Sequence, residues 1–392
     1  MKKFKLDNDH SIIEELKKWR RYLHRYPELS FNEFETAKYI EEELKKIKVD
    51  KIIRPTETSV VASLNGGLPG KTIAVRADID ALPILEKNDH DFISTNKGVM
   101  HACGHDGHTA ILLGLAKILT KHKEDLPGTI KFVFQHGEEN YPGGARAIVE
   151  TGCLEDADMV IGTHLWSPFE VDTVGFCSDV AMAGIHKFFI NINGKGGHAG
   201  LPHQSIDSIS VASQVYDSLQ HMVARTVDST ESIVISVTRF NAGGEKLNVI
   251  PEQAQLAGTV RYLSESEVKT IPKKMQTIVR GICEANSATY DFEYTHGYKP
   301  VVNNHVVTDI LKKTAEKLFP EQVMNIKPIM GGDDFGVLSE KIPGCYFFVG
   351  IGNHDKGIIF PHHHPKFDMD EKGLINALKI FAQGILDLQK FE

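Results

Sequence analysis

The sequence has no apolar run long enough to cross a bilayer. Its longest, such as Ile111–Ala116 and Tyr346–Val349, fall far short of the roughly 20 residues that a spanning helix needs. Lysines at positions 2 and 3 are not followed by an apolar core, so the start does not read as an export signal. Excess positive charge is also missing. Lys and Arg total 44 against 52 Asp and Glu, a net charge of −8, which excludes the basic face of a nucleic-acid binder. Cysteine is sparse and odd in number: Cys103, Cys153, Cys177, Cys283 and Cys345 are widely spaced. That excludes a disulfide framework and suits a reducing compartment, so a cytoplasmic protein is expected. No repeat or low-complexity segment interrupts the chain.

What is present is an ordinary globular composition, 41% hydrophobic and 24% charged over 392 residues, enough for two domains. Ile12, Leu16, Trp19 and Leu23 have helical spacing within Ser11–Tyr26, and Glu33–Lys48 reads as a second amphipathic helix. Strands are expected at Ser59–Leu64, Thr72–Arg76, Thr129–Gln135 and Met159–Thr163, with helices at His105–Leu119 and Gly144–Thr151. This alternation predicts an α/β domain with a mixed, largely parallel sheet and helices on both faces. The pattern then changes. Strand His186–Asn193, helix Ser205–Val223, strands Ser232–Phe240 and Gln253–Leu263, helix Glu265–Ala285 and strand Ala288–His296 follow the ferredoxin-like α+β order. Helix His305–Leu318, strand Cys345–Val349 and helix Glu371–Leu388 restore the first pattern. The expected division is a discontinuous domain, residues 1–183 and 300–392, interrupted by an insert at 184–299.

Histidine is abundant, 19 residues, and clustered. Met100–His108 packs Cys103 among His101, His105 and His108; thiolate with imidazole suits zinc or another first-row metal. Glu138 and Glu139 follow one strand, and His164 is expected just past the end of another. Gly331-Gly332-Asp333-Asp334 and His362-His363-His364 come later. Ligands in open α/β sheets gather beyond the carboxyl ends of strands, so these groups can converge. The set exceeds one catalytic zinc and fits two metals. From spacing alone Cys103 serves equally as a ligand or a small buried hydrophobe, and the glutamates and the three histidines fit solvated loops as well.

Arg21–Ser30, Arg76–Ile84, Met100–His108, Gln135–Glu139, Gly196–Ala199, Asn248–Pro251, Gly258–Arg261, Gly332–Phe335 and His363–Asp368 together resemble the M20 metallopeptidase superfamily, in its amidohydrolase branch. The resemblance implies two divalent ions per subunit (Zn, Mn, Co or Ni) held by Cys103, His105, Glu139, His164 and His363, with Glu138 as general base. Pro365 picks out His363, although His362 and His364 flank it. It further implies that His198 stabilises the oxyanion in a partner subunit's site, and that Asn248, Arg261, Gly331 and Gly332 hold the substrate. The insert becomes a lid and dimerisation domain of a homodimer. The implied substrate is a small N-acyl amino acid, cut to a carboxylic acid and an amino acid. One departure stands out: relatives commonly carry Gln-Pro-Ala-Glu-Glu where this chain has Gln135-His136-Gly137-Glu138-Glu139. Competing readings are a carboxypeptidase or dipeptidase of the same family, a cysteine hydrolase using Cys103 with His105 or His108, and a silent metal- or acyl-amino-acid-binding protein.

Overall fold

A computed structural model describes residues 10–390. These fall into two compact units: the residues up to Ala181, Val301–Lys327 and those from Asp334 onward form one, and Met182–Pro300 with Pro328–Asp333 form the other.

In the first unit, helices α1 (His10–Arg25) and α2 (Phe34–Ile47) precede strands β1 (Lys51–Ile53), β2 (Val60–Asn65) and β3 (Leu68–Asp78). Helix α3 (His105–Lys121), β4 (Pro127–Gln135), β5 (Met159–Glu170) and β6 (Val174–Phe176) follow. The expected stripe of Ile12, Leu16, Trp19 and Leu23 is buried on α1, and Arg20 and His24 are buried with it. Polar groups on a core-facing stripe must find partners, and here both residues meet Asp106, Arg20 adding Asp368 and Glu371 and His24 adding Glu86. Helix α3 is buried almost all round. Gly107 and Gly114 lie on it where a Cβ would meet Leu165 and Leu16 at 2.5 and 2.7 Å.

The second unit holds β7 (Gly184–Asn193), helix α4 (Ser208–Thr226), β8 (Ile233–Ala242), β9 (Gln253–Tyr262), helix α5 (Ile271–Ala285) and β10 (Thr289–His296). Its strands run in the order β8-β9-β7-β10, all antiparallel, as the ferredoxin-like order requires. Asp207 caps α4 by accepting from the N–H groups of Ile209 and Ser210. The single helix expected over Glu265–Ala285 is broken into Glu265–Val268 and Ile271–Ala285. Pro272 is the cause, since it lacks an N–H and fits only the first turn of a helix. Pro328–Asp333 groups with this unit, where Ala183 donates its N–H to the carbonyls of Ile329 and Gly331.

Back in the first unit, helix α6 (His305–Leu318), β11 (Val323–Asn325), β12 (Gly344–Gly352) and helix α7 (Lys372–Leu388) complete the fold. The sheet order is β1-β2-β4-β3-β5-β12-β6-β11. The central strands β4, β3, β5 and β12 are parallel, and antiparallel pairs flank them. Ile73, Val75 and Ala77 join the helix-covered core on one face of β3, while Ala74, Arg76 and Asp78 are buried on the other. No described helix is long and apolar enough to cross a membrane.

Candidate active site

The first unit gathers its metal-ligating side chains where β3 and β4 end. Gly104, at φ 93°, turns the chain into α3, and this places Cys103 before the helix and His105 at its first residue. Glu138 and Glu139 lie in the loop after β4. His363 comes from the segment after β12, where its N–H donates to the carbonyl of Ala102. His164 does not follow its strand as expected: it lies inside β5, which runs on to Glu170. The reason is in the pairing. The pairing of β3 with β5 stops at Gly162, but β12 continues alongside β5 past His164, so the strand runs on and His164 stands beyond the last β3–β5 pair.

Ligand atoms of Cys103, His105 and His164 lie within 4.8 Å of one another, as do those of Cys103, Glu139 and His363, and those of His105, Glu138 and Glu139. The Cys103 Sγ is 3.5 Å from His164 Nε2, and Glu139 Oε1 is 3.2 Å from His363 Nε2 and 4.0 Å from His105 Nε2. Yet the buried His105 Nε2 and Glu139 Oε1 have no hydrogen-bond partner. Buried polar atoms that converge without bonding one another are what a shared cation would satisfy.

The layer behind them fixes which atoms face inward. The Nδ1 of His105 bonds the Asp80 carbonyl at 2.9 Å, and that of His164 bonds the Leu165 carbonyl at 2.8 Å. Each ring therefore donates from Nδ1 and turns Nε2 toward the cluster, the usual arrangement behind a metal-ligating histidine. Asp80 also accepts from the Glu139 N–H at 2.9 Å and from Ser30 Oγ at 2.7 Å. Asp78 is held by Arg76 at 2.7 Å and by His108 at 2.5 Å. Arg76 in turn reaches Gln135 and Asp334. Burial opposes a charge on His105, but Asp78, Asp80 and Glu139 outweigh it and lift its pKa to about 10. Burial and the carboxylates of Glu139, Glu138 and Asp78 push the Cys103 thiol far up. The site thus favours positive charge, and a thiolate there needs a cation beside it. The donor set and its field fit divalent metal ions.

The three neighbouring histidines have different surroundings. His362 is half-buried, with Nε2 at 2.9 Å from the Leu165 carbonyl and Nδ1 at 3.1 Å from Ser167 Oγ, and it stacks on Trp166. His364 stacks on Phe360 and accepts from the Lys366 N–H. His363, at φ 65°, aims Nε2 at Glu139.

The remaining candidates belong to the second unit. His198 and Asn248 are neighbours there: Gly197–His198 pairs with Val249–Ile250, and the Ala199 N–H donates to the Asn248 carbonyl at 3.0 Å. His198 is exposed and accepts from the Gly200 N–H through Nδ1. Arg261 is half-buried on β9. Gly332 is a position of close approach, because a Cβ there would meet Ile185 at 2.4 Å; at Gly331 it would meet Met182 at 3.3 Å.

Asp78, Asp80 and Glu33 carry the site without having been singled out from the sequence. The Asp-x-Asp spacing at the end of β3 was a legible signal; for Glu33 nothing was. Its Oε1 accepts from the Gly137 N–H at 2.7 Å, while Oε2 is buried without a partner. Gly137 is at φ 63° and packs under Phe31, so Glu33 anchors the loop that presents Glu138 and Glu139. Burial, then the nearby Asp80, lifts the Glu33 pKa from 4.5 to about 7. The folded chain then binds this proton more tightly than the unfolded one, so stability falls as pH rises through that interval. Glu33→Gln removes the titration. On metal-free protein, urea unfolding at about pH 5 and about pH 8 is expected to show wild type losing on the order of 1–3 kcal/mol relative to the variant. An unchanged difference would place the Glu33 proton elsewhere.

Residues 74–387 match the model of peptidase family M20/M25/M40. The chain is 50% identical over 296 residues to an N-acyl-L-amino acid amidohydrolase of Geobacillus stearothermophilus, which covers 74% of this chain and 80% of that one. It is 39% identical to thermostable carboxypeptidase 1 of Saccharolobus solfataricus over 94% of both. Among solved structures, a Bacillus subtilis protein named as a dinuclear metal binding peptidase of the M20 family superposes with a TM-score of 0.83 at 34% identity, over 97% of this chain and 99% of its own. With the family model spanning most of its length, this chain belongs to the M20/M25/M40 peptidase family.

Proposed function

We propose that the protein is a divalent-metal-dependent amidohydrolase that cuts the amide bond of small N-acyl amino acids. The observation that carries this reading is the convergence of Cys103, His105, Glu139, His164 and His363 beside Glu138, in a chain half identical to an N-acyl-L-amino acid amidohydrolase. These five residues are assigned as ligands of two divalent ions, of which zinc, manganese, cobalt or nickel suit the donor set. Bound there, such ions would acidify the attacking water and polarise the scissile carbonyl. Glu138 takes the water's proton as its oxygen attacks the amide carbon, and delivers that proton to the leaving nitrogen as the C–N bond breaks. His198 is assigned as the donor to the oxyanion in a partner subunit's site. Asn248, Gly331 and Gly332 are assigned to substrate binding, and Arg261 to the substrate carboxylate, which its planar fork suits. Homodimerisation through the second unit is supported by the exposed Leu201, three residues after His198, and by the exposed Leu247 and Val249, the second of which pairs with His198 across two short strands. A cytoplasmic site is supported by five free cysteines.

The cysteine-nucleophile reading loses support, since the surroundings of Cys103 hold its thiol protonated unless a cation is present. A carboxypeptidase is the second reading, favoured by the likeness to thermostable carboxypeptidase 1; a peptide bond and an N-acyl bond are the same amide. The test is hydrolysis of N-acetyl and N-benzoyl amino acids and dipeptides by chelator-stripped and metal-reloaded protein. Metal-restored cleavage of the N-acyl compounds is expected. Preference for dipeptides would move the assignment to the peptidase, and metal binding without any cleavage would leave the silent binding protein.

A further inference from the structure

A second group of metal-ligating atoms stands apart from the first. His24 on α1, with Glu86 and His90 in the segment between β3 and α3, bring one ligand atom each within 4.8 Å of one another. His24 Nε2 is 3.1 Å from Glu86 Oε1, and His90 Nε2 is 3.5 Å from that same oxygen. Neither ring nitrogen of His90 has a hydrogen-bond partner, although both are buried. The ring stacks on Phe92 at 3.7 Å, which holds it in place.

We infer that His24, Glu86 and His90 form an additional divalent-metal site, of zinc-like N/O preference, that fastens the segment before α3 to α1. Two imidazoles and a carboxylate, with one position left for water, are a donor set that zinc accepts. The outer layer is built as metal sites require. The His24 Nδ1 bonds Asp106 at 2.8 Å, which turns Nε2 toward Glu86. Glu86 is oriented by the Ser94 N–H at 2.7 Å and by Asn88 at 3.1 Å. Arg20 and Arg21 are the nearby cations, but they are met by Asp106, Asp368 and Glu371, so with Glu86 negative charge remains in surplus.

The consequence is mechanical. The chain from Pro83 to Val99 has no helix or strand, and a stretch of that length needs fastening to hold one conformation. Asp106 follows His105 on α3, so an ion at His24 is linked through one hydrogen bond to the turn that carries a ligand of the first cluster. The inference does not rest on the proposed activity: its readout is a difference in bound metal between variants, whatever the first cluster holds.

The experiment is equilibrium dialysis of metal-stripped wild type, His90→Leu and His90→Phe against zinc at about micromolar free concentration, with bound metal counted by mass spectrometry. The phenylalanine keeps the stack on Phe92 should the leucine variant fold poorly. Each variant is expected to bind one equivalent fewer than wild type, its affinity for that ion lowered at least roughly 100-fold, with the first cluster still loaded and amide hydrolysis retained. The cobalt-substituted wild type is expected to show one visible absorption component that both variants lack. Equal zinc content in wild type and variants, or an extra equivalent that appears only at millimolar zinc, would overturn the site and leave His24 as a plain bridge between two carboxylates.

Discussion

Glu138→Gln is expected to lower turnover of an N-acyl amino acid by about 10²–10⁴-fold. Glutamine has nearly the same shape, so a side chain that is 7% exposed keeps its packing. It cannot accept the water's proton, however, and the reaction loses both the base for attack and the acid for the leaving nitrogen. Bound metal and thermal midpoint should stay near wild type, because the ligands and the Glu33 anchor of the loop are untouched. The measurement is kcat and KM alongside metal content. A variant with near-normal kcat would remove Glu138 from the mechanism; one that also lost metal would make it a ligand instead.

The second large effect separates two adjacent histidines. His363→Ala should weaken binding of one ion by more than the roughly 10–100-fold that a lost outer-layer partner costs, and abolish activity at low metal. His362→Ala should keep its metal but melt earlier. Its ring is stacked on Trp166 and bonded to Leu165 and Ser167, and burial drives its pKa down to about 3, so it stays neutral and structural. Truncating a half-buried, hydrogen-bonded ring costs on the order of 1 kcal/mol. Metal titration and thermal unfolding of both variants read the contrast. The reverse pattern would move the ligand to His362.

Much of the fold was legible in the sequence because it rests on local periodicity. The α1 stripe is one case, and the strand at Thr129–Gln135, found as Pro127–Gln135, is another. What failed locally failed for identifiable reasons. Pro272 outweighed the helical pattern around it. The extension of β5 past His164 depended on β12, a strand almost 200 residues away, which no window along the chain contains.

The site divides in the same way. Residue types and motif order by themselves pointed to the family and to Cys103, His105, Glu139, His164, one of three histidines and the pair of glutamates as candidates. Which atoms face one another was decided only by the tertiary structure. A ring nitrogen is a ligand or a structural donor according to what its other nitrogen bonds, and for His105, His164 and His362 those partners are backbone carbonyls placed by the fold. The anchoring of the glutamate loop by Glu33, 104 residues away, and the meeting of His24 with Glu86 and His90 are likewise products of packing. Sequence sets the chemistry available; the distances that make it a site arise only when distant segments are buried together and their polar groups must find partners.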